Sequence, residues 1–289
     1  MKLVTFEIGG KVCAGFLDGD AVVTCASGPD AGNAVRDLVS GASGSLADWK
    51  AKADARHPVS DVQLLAPIPE PRRDIFCVGK NYRAHAAEFH SSGFDTTAKA
   101  AVPSDPVVFT KATTTVVGPD AEVRGSLDTT GTVDYEGELG VVIGTRAFQV
   151  SRDAAMDCIF GYVIINDVTS RELQQKHNQW VIGKGIDTFC PMGPWLVTAD
   201  EAGDPRAMQL ETTINTEVRQ KASVADLIFD IPTLISTISQ TMTLLPGDII
   251  ATGTPEGVGI GFKPPRYLIA GDIMEVSISG LGRLTNRIV

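Results

Sequence analysis

With 289 residues, 43% of them hydrophobic, the chain can bury a sizeable core, most simply as one large domain with a small appendage. A formal charge of −10 and a pI near 4.9 argue against nucleic acid and anionic membrane as partners, because both need basic surface. The opening stretch "MKLVTFEIGGKVCAGFLDGD" lacks the uninterrupted apolar core of a signal peptide, and no apolar run is long enough to span a bilayer. Cys13, Cys25, Cys77, Cys158 and Cys190 are scattered and without CxxC pairing, which fits a reducing compartment and argues against a zinc–cysteine site. With only four histidines, any metal site is expected to be rich in carboxylates. These features lead us to expect a soluble cytoplasmic enzyme or binding protein.

In chain order, residues 2 to 25 read as short strands broken at "GG" and "DGD", a hairpin pattern. Short helical stretches follow around "AVRDLVSG" and "SLADWKAKAD". Prolines at 67, 69 and 71 suit an extended connector, since each restricts its own φ and the residue before it. The expected division is therefore a small β-rich segment over 1–70 and a larger domain over 71–289. Beyond it the chain is mostly strand-like, from "DIFCVG" and "PVVFTKATTTVVGP" to "GDIMEVSISGLG" and "LTNRIV". The polar segment "HSSGFDTTAKAAVPSDP" (90–106) is the best candidate for a mobile loop. A helix is expected to start at Asp230 and Pro232, with Leu234, Ile235, Ile238, Met242 and Leu245 at helical spacing until "PGD" stops it. Many irregularly spaced strands with few helices fit an α+β, mostly β architecture, a mixed-strand β-roll rather than a doubly wound sheet.

Four constellations carry chemistry. In "TVDYEGELGVVIG" (132–144) alternation puts Asp134, Glu136 and Glu138 on one strand face. Carboxylates about 6–7 Å apart repel by roughly 2–3 kcal/mol at an effective dielectric near 20, so inside a sheet they need a counter-charge. Asp167 closes another apolar run, "GYVIIND". Three carboxylates reaching one point suit Mg²⁺ or Mn²⁺, although the same residues also fit an exposed strand edge with a turn aspartate. In "GKNYRAHAAEF", His85 and Glu88 share a helix face, either as a general base and its partner or as a solvated pair. "TGTPEGVGIG" (252–261) has neither spacing of a phosphate loop. It reads as a tight turn that exposes backbone N–H groups and the hydroxyls of Thr252 and Thr254, beside a ligand or beside none. Lys111, Arg171 and Lys184 form a basic set. If a helix begins in "DVTSRELQ", Asp167, Arg171 and Gln174 share a face. A carboxylate–cation site for an anionic substrate needs such cations, but a solvated surface face would also carry them.

Taken together, "VGKNYRAHAAE", "VFTK", "DYEGELGVVIG", "GYVIINDVTSRELQ", "IGKGIDTFCPMGPWLVT" and "GDIIATGTPEGVG" resemble the fumarylacetoacetate hydrolase superfamily, in order, over roughly residues 72 to 289. The resemblance implies a mixed β-roll catalytic domain, usually homodimeric, behind a small N-terminal domain. It implies that Glu136, Glu138 and Asp167 hold Mg²⁺ or Mn²⁺, and that His85 and Glu88 sit on a lid helix and activate water. It further implies an active-site Lys184, with Lys111, Arg171, Gln174 and Thr254 facing a small anionic keto acid. Asp134 belongs to the motif but is not carried over as a ligand. The founding hydrolases supply a further metal-binding aspartate upstream of the catalytic histidine. Here that neighbourhood is "CVGKNY", without acid, so the chain looks like the smaller acylpyruvase and 2,4-diketo-acid branch. "KGIDTFCPMGPWLVT" resembles bacterial members that cleave 2,4-diketo-3-deoxy sugar acids or related ring-fission products.

The implied reaction is hydrolysis of the C3–C4 bond of a 2,4-diketo acid to pyruvate and a carboxylic acid, under a lid formed by residues 85 to 105. An oxaloacetate-type decarboxylase or a hydroxymuconate-type isomerase would use the same residues. A non-catalytic binder of dicarboxylates would be expected to have lost a metal ligand or His85, and neither is lost.

Overall fold

The computed structural model describes residues 1–94 and 101–289. Residues 95–100, part of the segments expected as a mobile loop and as a lid, lie outside it. Among the described residues the architecture is mostly β, with mixed sheets and a few short helices. The main sheet is centred on three antiparallel strands, Cys190–Thr198, Ile159–Asn166 and Gly137–Ile143. Ile249–Ala251 follows on one side and pairs in parallel with Ile75–Gly79, which in turn carries Val107–Lys111. A second sheet is built from Glu217–Ser223, Gln209–Ile214, Ile273–Ile278, Gly282–Ile288 and Glu122–Val123.

The central strands are buried on both faces, which is why they read as nearly continuous apolar runs. Leu139, Val141, Tyr162 and Ile164 pack on one side against Leu210, Val276 and Ile278 of the second sheet and against Leu234, Ile235 and Ile238. Val142, Val163 and Ile165 pack on the other side against Leu3, Val35, Leu38 and Trp49. Gly137 lies at the crossing of the two sheets: a Cβ there would come within 2.3 Å of Thr212 Oγ1.

The N-terminal hairpins form as the glycine turns suggest, over Lys2–Ile8, Lys11–Asp18 and Ala21–Ser27. They do not make a sheet of their own. Lys2–Ile8 pairs antiparallel with Cys190–Thr198, so the hairpins extend the main sheet at its edge. The expected boundary near residue 70 marks where the chain leaves that edge, and the hydrogen-bonded sheet runs on across it.

Two element expectations change. The helix after Asp230 covers Ile231–Ser239, capped by the Asp230 carboxylate on the Thr233 N–H at 3.1 Å. It stops before Met242, which is 42% exposed, because the following residues turn back to let Leu244 bridge to Ala147. The strand expected across residues 132–144 is broken: Val133–Asp134 pairs with Thr169–Ser170, and Gly137–Ile143 belongs to the main sheet. Tyr135 and Glu136 bridge the two, with the Glu136 N–H donating to Asn166 Oδ1 at 2.9 Å. No helix among the described residues is long and apolar enough to cross a membrane.

Trp49 is 1% exposed and sits in the cluster that joins the N-terminal segment to the main sheet. Trp49→Ala should lower the unfolding free energy by about 3–5 kcal/mol, the cost of emptying a tightly packed aromatic site. Urea titration measures it, and a loss below about 1 kcal/mol would show that the cluster is not a shared core.

Candidate metal centre and active-site cavity

The register of the two central strands places the acids together. Gly137 is opposite Asn166, so Glu136 and Glu138 at the start of one strand meet Asp167 just past the end of its antiparallel neighbour. One oxygen from each lies within 4.8 Å of the others, and all three side chains are buried. Carboxylates at that spacing repel by roughly 3 kcal/mol per pair at an effective dielectric near 20. The basic set supplies the compensation. Lys184 Nζ lies 2.8 Å from both Glu136 Oε2 and Asp167 Oδ2. Lys111 Nζ lies 2.8 Å from Asp167 Oδ1, and Arg171 Nη1 lies 2.6 Å from Glu136 Oε1.

The compensation is uneven. Burial pushes the Glu136 carboxyl up, but Lys184 and Arg171 bring it down to about 2. Burial, then Asp167 and Glu136, hold Glu138 well above the ordinary carboxylate value, against only the Gly253 N–H at 2.8 Å and the more distant Lys184. Burial works against the charge on Lys184, yet Asp167 and Glu136 still raise its pKa. Three hard oxygen donors converging with one negative charge under-compensated fit a divalent cation. Glu136, Glu138 and Asp167 would hold it.

Asp134 departs from the expected shared face because the chain breaks after it. Its carboxylate accepts from Arg171 Nε at 2.9 Å, the Gly259 N–H at 2.6 Å and the Ile260 N–H at 3.0 Å. Arg171 opens the helix Arg171–Lys176 and shares it with Gln174, whose Oε1 is 3.3 Å from Nη1. Asp167 precedes this helix and is not on its face, so it reaches Arg171's neighbourhood through the sheet. Arg171 Nη2 is buried and finds no acceptor among the described residues.

The glycine-rich turn behaves differently from the expectation. Its N–H groups are spent on the protein's own carboxylates: Gly253 on Glu138, Gly257 on Glu88 and Gly259 on Asp134. The Thr252 hydroxyl donates to the Leu139 carbonyl, and the Thr254 hydroxyl to the Gly137 carbonyl at 3.0 Å. His85 and Glu88 do lie on a helix, Arg83–Ser91, with Nδ1 and Oε2 3.3 Å apart. That contact leaves Nε2 as the ring nitrogen available to the cavity.

One narrow cavity gathers these groups. His85, Glu136, Glu138 and Lys184 line it, as do Arg171, Gln174 and Thr254. Asp167, Glu88 and Lys111 stand behind the wall. Lys111, expected to face substrate, is fully buried and donates to the Val168 carbonyl at 3.0 Å and to the Lys184 carbonyl. Lys80, Phe89, Phe109 and Trp180 also line the cavity and were not singled out from sequence. Their one visible signal was position, beside "GKNY", "HAAE", "VFTK" and "IGKG".

A cation taking the Glu138 oxygen must displace its proton. A raised pKa in the metal-free folded protein therefore predicts that metal affinity climbs with pH as long as Glu138 is protonated, and levels once the pH passes its raised value. Calorimetric titration of chelator-treated protein with Mn²⁺ in two buffers of different protonation heat measures the protons released. Zero release across this window, or the same release from Glu138→Gln, would remove Glu138 as the proton holder.

Residues 74–289 match the family model "Fumarylacetoacetate (FAA) hydrolase C-terminal", and residues 1–67 match "Rv2993c-like, N-terminal". The chain is 47% identical over 248 residues to oxaloacetate tautomerase YisK of Bacillus subtilis, covering 84% of this chain and 80% of that one. Among solved structures, a fumarylacetoacetate hydrolase from Exiguobacterium antarcticum is 38% identical with a TM-score of 0.83, covering 100% of this chain and 99% of that one. Maleylpyruvate hydrolase from Sphingobium sp. SYK-6, in complex with manganese(II) and pyruvate, is 32% identical with a TM-score of 0.79 at coverages of 100% and 99%. The buried carboxylates, the histidine–glutamate helix and the glycine-rich turn thus stand on a scaffold shared with hydrolases and a tautomerase, and the chain belongs to the fumarylacetoacetate hydrolase family.

Proposed function

We propose that the protein is a Mg²⁺- or Mn²⁺-dependent enzyme of small anionic 2-keto acids, and that keto–enol proton transfer on a short, oxaloacetate-like diacid is its reaction. The observation that carries this is the composition of a single small cavity. It combines a carboxylate cluster suited to a hard cation, a histidine held by a carboxylate, and a buried guanidinium nitrogen without an acceptor among the described residues. The 47% identical relative named as an oxaloacetate tautomerase supports the same reading.

When bound, the cation supplies Lewis-acid polarisation of the keto-acid oxygens. The chain's own groups do the rest. His85, oriented at Nδ1 by Glu88, takes a proton from C3 through Nε2, the C2 oxygen takes one from solvent water as the enol forms, and the same two transfers in reverse return enol to keto acid. Arg171 Nη2 receives the distal carboxylate, with Gln174 beside it. Lys184 holds Glu136 and Asp167 together and makes the cavity more positive as charge develops on the substrate. Thr254 keeps the glycine-rich turn on the Gly137 carbonyl.

Hydrolysis is the second reading, supported by the maleylpyruvate hydrolase seen with manganese and pyruvate. With a 2,4-diketo acid, the histidine pair takes its proton from water, hydroxide adds at C4, and the C3–C4 bond breaks to give pyruvate and a carboxylic acid. As in other members of the superfamily, we expect two copies to associate, which light scattering on the purified protein would check.

Chelator-treated protein should be inactive on both oxaloacetate and an acylpyruvate, and Mg²⁺ or Mn²⁺ should restore it. Loss of enol absorbance without CO₂ supports tautomerisation, pyruvate plus a carboxylic acid supports hydrolysis, and CO₂ plus pyruvate would replace both with decarboxylation. Full activity after metal removal would end the metal-dependent reading. His85→Ala should lower kcat about 10²–10⁴-fold while Mn²⁺ binding is retained. Unchanged turnover in that variant would take His85 out of the proton transfer.

A further inference from the structure

The proton-transfer chemistry leaves the aromatic wall of the cavity unused. Phe89 comes from the helix Arg83–Ser91, Phe109 from the strand Val107–Lys111, and Trp180 from the residue that precedes the helix Val181–Lys184. The indole meets both phenylalanines edge-on, with centroids 6.1 Å from Phe89 and 5.2 Å from Phe109. The phenylalanines in turn carry the charged groups: Arg171 stands 5.9 Å over Phe89, and Lys184 Nζ 5.1 Å over Phe109. Trp180 is thus one ring further from the charged centre, in the same lining.

Its position there is closely determined. A Cβ on Gly79 would lie 2.3 Å from the indole Cζ3, so the ring is seated on bare backbone at the end of the strand Ile75–Gly79. The Trp180 carbonyl accepts the Lys184 N–H at 3.0 Å, placing the ring one helical turn from a cavity cation. Only 9% of the residue is exposed. A rigid ring with two χ angles, packed on both flanks, cannot fold aside without leaving its contacts.

We propose that Trp180 is a specificity-determining residue. Its indole closes the cavity against keto acids that carry an apolar acyl or aryl tail, and so restricts the enzyme to short dicarboxylic ones. The inference rests on the keto-acid reading above. Beside the indole the lining is mostly apolar, with Val78, Phe89 and Phe109, and Lys80 stands 5.6 Å over Phe89, so removal of the ring widens a part of the cavity that favours added hydrocarbon.

The test compares full-length wild type, Trp180→Phe and Trp180→Ala, each loaded with Mn²⁺, on oxaloacetate and on a long-chain or aryl-substituted acylpyruvate. The ratio of kcat/KM for the tailed substrate to that for oxaloacetate should rise roughly 10–200-fold in Trp180→Ala, the scale on which apolar pocket volume discriminates substrates. A smaller rise is expected in Trp180→Phe, which keeps a ring on Gly79 and carries the test alone if the alanine variant does not fold. A ratio unchanged in the folded variants, or two substrates losing activity in parallel, would overturn the proposal and leave the keto-acid reading standing. A wild-type enzyme inactive on both substrates with Mg²⁺ or Mn²⁺ would sink that reading and this inference with it.

Discussion

Like charge buried at close range is the constraint on which this site is built. Glu136, Glu138 and Asp167 offer oxygens within 4.8 Å of one another in the interior of two packed sheets. Such a cluster is tolerable only if the surroundings return most of the lost solvation. Lys111, Lys184 and Arg171 do so for Asp167 and Glu136, each at hydrogen-bonding distance. Glu138 receives little more than one backbone N–H, and its raised pKa records the shortfall. The unequal distribution suits the cluster to added positive charge.

The glycine-rich turn acts as the mechanical counterpart of that electrostatic arrangement. Its amides grip three carboxylates from different elements: Glu138 in the cation cluster, Glu88 behind the histidine, and Asp134 behind Arg171. Glycine is required at Gly257, where φ is +95 and a Cβ would meet the Arg219 carbonyl at 1.9 Å, while a Cβ on Gly261 would push the Glu88 carboxylate from its place, 1.8 Å away. Through this turn, the histidine's carboxylate partner on one wall and the guanidinium's on another share a single support.

Hydrolase and tautomerase relatives are compatible with one cavity because both reactions begin from the same arrangement. On the proposed reading, a keto acid would face a histidine that can take a proton either from carbon or from water. The space beside it in this cavity is bounded by Phe89, Phe109 and Trp180.

Much of this was legible in the linear chain. Period-two alternation and glycine punctuation located the N-terminal hairpins, and the i,i+3 spacing of His85 and Glu88 placed them on one helix face. The carboxylate motif with Asp167 pointed to a hard cation. These features depend on neighbours a few residues away, where spacing alone determines direction. Other features required the fold. Asp134 left its expected face because a two-residue break between sheets reorients the chain, and Lys111 went behind Asp167 because the sheet brings its strand in from the far side. The amides of the turn were claimed by acids more than 100 residues distant in all three cases, and Gln220 reached Thr254 from a different sheet. Sequence by itself determined which residue types could build a cation and keto-acid site. Only the tertiary structure decided which of them face the cavity and which hold it up, because that choice depends on long-range register and on the charge balance of a buried cluster that no local window contains.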